Sequence, residues 1–555
     1  MKKILIINFT LLNLFLSGQS FVFPGDVFFD AENQRNILKD SSVLQYHCGL
    51  LPYLNANLVY DARNKDLLII HPSETTGSGI PKNKHWFFRK LFNEDFVELK
   101  HTDFEMGRPR KFLLNISPLV NFQGGLDLGT ITSLKTLKNS EKLYTNSRGV
   151  IVKGSVGDKF YFESVFLENQ VTLPQYQDSL AISSLVIPGG GRWKKFKING
   201  YDYAMASGFI SFKPSKYINI SLGHGKNKVG NGYRSFLLSD NSFTYPYLKL
   251  THSWWKGKIQ YTNIYALLMN LTDGGVHTPP HTERLFQKKG AAFHHLSINV
   301  NKYLNVSLFQ SLIWQHSDSM NRQHMGIAFF NPVIFSNLAA YGLQDNKNMM
   351  GGIDISIKPL KTLMLYGQFV LDELGSKTSI SNKTAYQAGL KYYDVFTLKN
   401  LFVQLEYNQV RPFTYSATDP GQSYTHYNQA LAHPLGANFN ETVALFGYRF
   451  KRIFLQAKVN LISQGLNAGY NYGQNIFVSD FTPALNTQSQ NQGIAAQTKV
   501  IDIKAGYLFN PKTNFNISVG CIYREIKCTS LAYQVPVKYF YIALKSSLYN
   551  QYWDF

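Results

Sequence analysis

The feature that most constrains the fold is a two-residue alternation of apolar and polar side chains from Phe112 onward. It is clearest over 353–358, 401–408, 453–461 and 515–522. After the first twenty residues, no apolar run is long enough to form a membrane-spanning helix. A bilayer core accepts only helices or closed sheets, because every backbone polar group there needs a partner. The sequence therefore predicts an all-β fold, a transmembrane antiparallel β-barrel with apolar side chains toward lipid.

The connections between candidate strands alternate between short and long. Eight short turns are predicted near 157–158, 213–216, 256–258, 301–302, 358–361, 394–400, 451–452 and 510–512. Longer polar segments fall near 126–147, 169–200, 225–244, 270–290, 314–347, 372–383, 411–440, 463–497 and 526–537. Short turns on one rim and long loops on the other are typical of bacterial outer-membrane barrels. With a first strand near 112–125 and a last near 538–549, about 18 strands are expected, with both ends on the periplasmic side.

The first twenty residues have the pattern of an export signal. Lys2 and Lys3 precede an apolar stretch over 4–16, and Gly18 to Ser20 forms a small cleavage site. The apolar stretch is too short to cross a bilayer as a helix. We therefore predict a signal peptide over 1–20 and the cell outer membrane as the destination.

Residues 21–110 do not alternate and are predicted to form a small, partly helical periplasmic cap or plug, followed by the barrel over 111–555. A helix is expected near 84–99, because apolar side chains recur there at helical spacing. These side chains are Phe88, Phe92, Phe96 and Leu99. A core-packing role is expected for this face.

The charge balance indicates polyanionic partners. The chain has 56 Lys and Arg against 35 Asp and Glu, a net charge of +21. A basic surface attracts polyanions, and nucleic acid is not expected to meet an exported barrel. Acidic polysaccharide and lipopolysaccharide phosphates are the candidates. The plainer alternative is that the excess charge contacts lipopolysaccharide and has no specific ligand.

Cysteine and histidine patterns predict no catalytic or metal centre. Three cysteines exclude a complete disulfide framework, and whether Cys521 pairs with Cys528 stays open. His277 and His281 are separated by two prolines, which break the helix that would align them on a metal. No Ser, His and Asp spacing indicates nucleophilic catalysis. We therefore expect a protein that is not an enzyme, with no cofactor and no metal.

One long loop, 314–347, is unusually apolar between residues 326 and 341. A loop exposed only to water would not have this composition. We expect it to fold into the lumen and narrow it. The alternative is that it packs on neighbouring loops.

Several motifs in the middle of the chain point to a known family. They are GYDYAMASG at 200–208, GHGKN at 223–227, GNGYRSFLLSD at 230–240, NPV at 331–333 and GQFVLDE at 367–373. Together they resemble the capsule assembly Wzi family, especially its branch of RemB-like gliding-motility outer-membrane proteins. The motifs span about 84–375, and the remainder is similar in its strand pattern and its YWDF ending. The resemblance implies a barrel of about this strand number with a helical periplasmic element.

The resemblance also implies a function at the cell surface. Capsule-forming relatives bind secreted polysaccharide, and the gliding branch acts in motility or in adhesion to carbohydrate. No catalytic residue follows from the resemblance. We therefore expect an outer-membrane barrel that binds or retains surface polysaccharide, with a channel for small solutes or oligosaccharides as the first alternative. An envelope lipid hydrolase is the second alternative.

Candidate ligand-binding residues lie in two of these motifs. Flat aromatic faces and planar charged groups suit pyranose rings and carboxylates. The candidates are Tyr233, Arg234, Asp240, Asp372 and Glu373. The alternative is that Arg234 pairs with Asp240 or Asp202 and braces the lumen.

Three further partners are expected for a barrel of this kind. The protein would contact lipopolysaccharide and outer-membrane lipid. Its aromatic C-terminal residue, Phe555, resembles the signal that barrel-insertion machinery reads. We expect the barrel to be a monomer.

Overall fold

A computed structural model describes most of the chain. The described residues are 26–39, 47, 49–51, 97–105, 108–129, 141–157, 159–273, 286–315, 327–336, 348–373, 382–467, 469–480, 489–511, 513–528, 536–546, 548 and 551–555. The predicted signal peptide over 1–20 lies outside them.

The described residues contain two α-helices, α1 (Val27–Lys39) and α2 (Gln175–Ser184). The strands, numbered along the chain, are β1 (Leu50–Leu51), β2 (Val97–Glu105), β3 (Arg108–Asp127), β4 (Glu141–Val156), β5 (Phe160–Val171), β6 (Lys194–Phe196), β7 (Gly200–Ser215), β8 (Ile218–Gly225), β9 (Lys228–Val229), β10 (Tyr245–Trp254), β11 (Ile259–Asp273), β12 (Phe286–Asn299), β13 (Leu304–Gln315), β14 (Asn348–Leu360), β15 (Leu363–Glu373), β16 (Lys383–Tyr393), β17 (Leu401–Val410), β18 (Thr425–His426), β19 (Gln429–Ala430), β20 (Phe439–Phe450), β21 (Ile453–Leu466), β22 (Ile494–Asn510), β23 (Phe515–Cys528) and β24 (Val537–Lys545). Neither helix is long and apolar enough to cross a membrane.

Eighteen strands form a closed antiparallel barrel. Consecutive long strands pair as hairpins, and β24 pairs with β3 to close the ring. The predicted fold class, the strand number and the order of short turns and long loops are confirmed. The side-chain alternation divides the two faces as predicted: Ile355, Leu455 and Val519 are exposed on the outer wall. Gln404 and Asn460, on the opposite face, are fully buried in the lumen.

The N-terminal end of the barrel differs from the prediction. Residues 97–99, the end of the predicted helix 84–99, belong to β2, and residues 84–96 lie outside the described residues. β24 pairs only with residues 121–127 of β3, and β2 pairs with residues 108–116 on the same side. An unpaired strand edge is costly in a bilayer, so pairing overrides the helical pattern.

A helix that the sequence analysis did not predict, α1, lies in the barrel mouth on the short-turn side. Its Glu32 carboxylate accepts a hydrogen bond from the Arg449 side chain at 2.6 Å. Its Arg35 guanidinium lies 3.3 Å from the Asp394 carboxylate in the turn between β16 and β17. These contacts place the described helix of the 21–110 region inside the barrel; the remainder of the predicted cap stays a prediction.

The C-terminal end also differs from the prediction. The last strand ends at Lys545 rather than near 549, and residues 551–555 are not part of a strand. Leu548, which lies within the predicted last strand, packs against buried side chains of the lumen. The last residues form many polar contacts in the lumen, described below, which an extended strand at the membrane surface would forgo.

The predicted placement of the apolar loop 314–347 is wrong for its described part, residues 327–336. This part packs neither in the lumen nor on neighbouring loops. Phe329 contacts Trp314 and Tyr265, two side chains on the outer wall of the barrel. Apolar composition predicts burial, but it does not say on which side of a barrel wall the burial occurs.

Cys521 and Cys528 are both free thiols. They lie seven residues apart on one strand, β23, which separates them by about 23 Å. Cα atoms of a disulfide lie about 4.4–6.8 Å apart, so the strand excludes the pairing that the sequence left open.

Two other long loops, 226–244 and 411–438, fold inward and fill the lumen. The main apolar cluster of the molecule lies there, and it includes Phe236, Leu237 and Leu238 from the first loop with Tyr415 and Leu431 from the second. These five side chains are completely buried. The core of this protein is therefore inside the barrel.

Candidate functional site

The loop 226–244, here called the lumen plug, is held by carboxylate and amide side chains of the barrel wall. Glu406, on β17, accepts hydrogen bonds from the backbone N–H groups of Tyr233 at 2.6 Å and Arg234 at 3.1 Å. Gln368, on β15, accepts one from the backbone N–H of Phe236 at 2.8 Å. The plug has little regular structure of its own, so these wall groups satisfy its backbone donors.

Arg234 is the charged centre of the plug. Its guanidinium donates to both oxygens of Glu441, at 2.7 and 3.2 Å. It also lies 3.1 Å from Asp554, and all three side chains are at most 1% exposed. The arginine lies 4.9 Å above the Tyr233 ring and 5.2 Å above the Tyr552 ring. Two carboxylates and two aromatic faces therefore enclose one cation.

The C-terminal residues 551–555, here called the C-terminal tail, form hydrogen bonds with the plug from a second side. The Tyr552 hydroxyl donates to the Asp240 carboxylate at 2.7 Å. Asp554 accepts from the Tyr233 hydroxyl at 2.5 Å and forms an ion pair with Lys458 at 3.1 Å. The tail is therefore part of the lumen filling.

Mutual pairing keeps the charged groups of the plug ionised. Burial alone would lower the pKa of Arg234, but Asp554 and Glu441 outweigh it and raise that pKa above its usual value. Burial would raise the pKa of Asp554, but Arg234 and Lys458 outweigh it and hold that pKa below its usual range. The network is thus an ionised cluster of paired side chains that are almost completely buried.

A histidine completes the cluster from the loop 411–438. The His433 imidazole lies 2.7 Å from the Glu441 carboxylate. Burial outweighs this carboxylate and lowers the pKa of His433 below its usual value. The neutral imidazole is therefore the stable form at neutral pH.

The structure brings three of the predicted ligand residues, Tyr233, Arg234 and Asp240, together in the plug, where all are buried. Asp372 is buried elsewhere and accepts a hydrogen bond from the backbone N–H of Tyr415 at 2.8 Å. Glu373 ends β15, and its side chain lies outside the described set.

The structure gives Arg234 other partners than those named in the bracing alternative. Arg234 pairs with Glu441 and Asp554, not with Asp240 or Asp202. The burial of these residues favours bracing over ligand contact. Contact between any of the candidates and a ligand stays a prediction.

Sequence analysis missed the wall and tail partners of the plug: Glu406, Glu441, Lys458 and Asp554. The strand alternation places the first three in the polar, lumen-facing set. No local pattern connects them with Arg234, because Glu441 is 207 residues away in the chain. Only the closure of the barrel brings them together.

The long-loop rim carries an exposed basic hairpin over residues 192–199, built on β6 and the start of β7. Its exposed cations are Arg192, Lys194, Lys195 and Lys197. None of the four forms an ion pair with a described residue. The hairpin is held in place by Trp193, whose indole N–H donates to the carbonyl of Ala181 in α2 at 2.8 Å. Exposed cations on a fixed hairpin can bind a polyanion.

The described residues offer no arrangement for metal binding. Among them, no three His, Cys, Asp or Glu side chains are grouped as ligands. His294 and His295 are adjacent in β12 and project to opposite faces of the sheet.

No family model and no curated protein sequence matches this chain. Among solved structures, the chain is similar to Wzi of Escherichia coli, an outer-membrane protein involved in group 1 capsule assembly and a carbohydrate-binding β-barrel. The identity is 13% and the TM-score 0.53, over 96% of this chain and 100% of that one.

Two other solved structures are similar at lower TM-scores. OccAB2 of Acinetobacter baumannii has 13% identity and a TM-score of 0.40, over 78% of this chain and 97% of that one. A BenF-like porin of Pseudomonas fluorescens has 9% identity and a TM-score of 0.42, over 78% and 98%.

At such identities the likeness to Wzi shows the fold alone. That fold, with its lipid-facing wall and closed ring of 18 strands, defines the class: this chain is an outer-membrane β-barrel, located in the outer membrane.

Proposed function

We propose that this barrel binds polysaccharide at the cell surface and retains it there, in capsule or slime assembly or in gliding adhesion. The observation that carries the proposal is a filled lumen below an exposed basic hairpin. A filled lumen suits a binding scaffold, and unpaired cations on the outside suit an acidic polymer. The similarity to a carbohydrate-binding barrel, Wzi, supports the same proposal.

The filled lumen argues against the first alternative, a channel for solutes or oligosaccharides. A porin of 16 to 18 strands leaves a water-filled passage. In the described part of this chain, the plug, the loop 411–438 and the C-terminal tail occupy that space. Arg234 and Glu441, which a channel would present to water, are at most 1% exposed.

The basic hairpin is the proposed contact surface. Lys194, Lys195 and Lys197 point into solvent beside exposed Ile198, which is 81% exposed. Carboxylates of an acidic polysaccharide would pair with the lysines, while an apolar side chain packs on the C–H face of a sugar ring. The plainer alternative, contact with lipopolysaccharide phosphates alone, uses the same charges.

Binding assays separate these possibilities. Purified barrel in detergent would be tested against a polyuronate, neutral dextran and lipopolysaccharide. Replacing Lys194, Lys195 and Lys197 with alanine removes three exposed charges. At about 0.2–1 kcal/mol for each exposed pair, polyuronate binding should weaken by roughly 3- to 100-fold. High salt should weaken the wild-type interaction as well.

A matched control variant exists at the opposite rim. Lys216, Lys256 and Lys302 are also exposed, and they lie in three short turns. Replacing these three removes the same net charge from the periplasmic side. The proposal requires that polyuronate binding survive in this control, and equal loss in both variants would mean that only net charge matters.

The cellular test is deletion of the gene, with staining of cell-bound and released exopolysaccharide and measurement of spreading. We expect more released and less bound polysaccharide, or slower spreading. Unchanged attachment and unchanged spreading would contradict the proposed function. Loss of phospholipid hydrolysis in the deletion strain would favour the second alternative, a lipid hydrolase.

We further propose that the protein works without catalysis, as a monomer inserted by the barrel-insertion machinery. The charged groups around Arg234 pair with one another, and none of them is a nucleophile beside a base.

A further inference from the structure

A row of polar side chains crosses the outer wall of the barrel. Asn263 on β11, His294 on β12 and Gln310 on β13 are directly paired neighbours in the sheet and lie on its outer face. Lower on the same face, Ile353 and Ile355 of β14 are exposed. Polar side chains facing lipid are costly, so an uncovered row would destabilise the inserted barrel.

The row is covered by residues 327–336, here called the outer strap. Asn263, His294 and Gln310 are only 2–3% exposed. Phe329 of the strap packs edge-on against Trp314, with ring centroids 3.9 Å apart. Trp314 belongs to the outer face of β13. The strap is therefore held on the lipid-facing side of the wall.

The wall supplies hydrogen bonds to the backbone of the strap. The backbone N–H of Phe335 donates to the Gln310 side chain at 2.5 Å. The hydroxyls of Tyr265 and Tyr261 donate to the carbonyls of Phe330 and Pro332. A loop in water would not need such partners, because water satisfies its backbone. Irregular backbone at membrane depth is tolerated only where protein groups replace water.

The strap satisfies other backbone groups by itself. The Asn331 side chain accepts from the backbone N–H of Val333 at 3.1 Å. The Ser336 hydroxyl donates to the carbonyl of Val333 at 2.7 Å. These short side chains therefore satisfy backbone hydrogen-bonding groups within the strap, as the backbone hydrogen bonds of a helix do in a membrane-spanning helix.

The surface that the strap turns away from the barrel is apolar. Phe330 is 50% exposed and Val333 is 59% exposed, and Pro332 between them is exposed as well. This surface continues the lipid-facing row of Ile353 and Ile355. Three side chains are too few for a stable contact with a second copy of the chain, which needs about 800 Å² from each partner.

We propose that the outer strap is a re-entrant element of the outer membrane. Its inner side seals the polar row of the wall, and its outer side contacts lipid acyl chains. The partner of this surface is therefore the hydrocarbon of the bilayer. The proposal concerns the wall alone and does not rest on polysaccharide binding.

Spin labelling tests the proposal directly. In a background with Cys48, Cys521 and Cys528 replaced by alanine, a nitroxide would be placed at Val333→Cys in barrels reconstituted into lipid bilayers. Power saturation with oxygen, which partitions into lipid, and with a water-soluble nickel chelate reports the surroundings. Heat-dependent gel mobility verifies that each labelled barrel is folded.

Two positions in the same barrel calibrate the measurement. Ile355→Cys reports a lipid-facing strand, and Ile198→Cys reports the water-exposed hairpin. The Val333 label should match Ile355, with greater access to oxygen than to nickel. A Val333 label that matches Ile198 would overturn the proposal. Protection from both reagents would also overturn it and would indicate a protein partner instead.

A second variant tests how the strap is held. Gln310→Leu removes the acceptor for the backbone N–H of Phe335 and is compatible with the lipid-facing wall. The Val333 label should become more mobile and should gain access to nickel. Unchanged mobility and accessibility would contradict the role of the polar row in holding the strap.

Discussion

Replacing Arg234 with alanine should release the lumen plug. Arg234 is the only cation that touches Glu441 and Asp554 together among the described residues, and it donates to Glu441 through two nitrogens. The substitution would leave two buried carboxylates without the guanidinium. Lys458 still reaches Asp554, so the greater penalty falls on Glu441.

The size of the effect follows from burial. Removing one partner of a buried ion pair costs about 3–5 kcal/mol, because the other charge stays desolvated. If the plug opens as a unit, its open fraction should rise by about 100- to 4,000-fold. Arg148→Ala is the matched control, because the Arg148–Glu168 pair has a similar 3.3 Å separation but side chains that are 52% and 47% exposed. That pair lies on the outer face of β4 and β5, away from the plug, so its loss should leave the plug closed.

Native-state proteolysis measures the open fraction. Chymotrypsin cleaves after Phe236 and Leu237, which are fully buried while the plug is closed. Cleavage under conditions where opening equilibrates rapidly tracks the population of the open form. We expect fast cleavage in Arg234→Ala and wild-type rates in Arg148→Ala. Equal cleavage rates in the two variants would refute the claim that this network holds the plug.

Three further predictions concern the same network. Tyr552→Phe removes the donor to Asp240 and should raise chymotrypsin cleavage of the plug about 10- to 100-fold, since a hydrogen bond to a charged group contributes about 1.5–3 kcal/mol; an unchanged rate would contradict it. The pKa of Asp554 is lower in the folded than in the unfolded protein. Ionised Asp554 therefore stabilises the folded protein fully at pH values above its unfolded pKa, and this stabilisation is lost as the pH falls through its folded pKa. Pepsin cleavage should therefore rise with acid in wild type and respond less in Asp554→Asn. The pKa of His433 is also lowered, so plug stability should decline as pH falls below about 6.5, the unfolded value, and His433→Gln should abolish this slope in proteolysis between pH 7 and 5.

The barrel itself was predictable because it is specified by local signals. The alternation over 401–408 puts Leu405 outside and Glu406 inside, which is what the structure has. The turn at 451–452 and the longer one at 394–400 join hairpins as expected. A two-residue period and turn chemistry act over a few residues, so a single sequence reveals them.

The filling of the lumen was not predictable in the same way. Tyr552 and Asp240 are 312 residues apart, and their contact depends on the curvature of the whole ring. The sequence motif around Arg234 suggested Asp240 or Asp202 as its partner, whereas the structure has Glu441 and Asp554. Polar residues from many strands face one interior, and alternation alone does not say which of them meet.

At the two ends of the chain, local sequence pattern and long-range contacts favour different structures. Residues 97–99 fit a helical pattern, yet backbone pairing with β3 decides their structure. Helix α1 has one apolar face interrupted by Arg35, and this gave no clear helical pattern in the sequence. Its arginine is satisfied by Asp394 in a turn that is distant in sequence.

Conductance in a planar bilayer tests the central claim most directly, that the lumen is occupied by the chain itself. Purified wild-type barrel should insert without steady, large conductance, and Arg234→Ala should conduct in bursts as its plug opens. Sustained conductance of the wild-type protein at the level of an open porin would contradict the account.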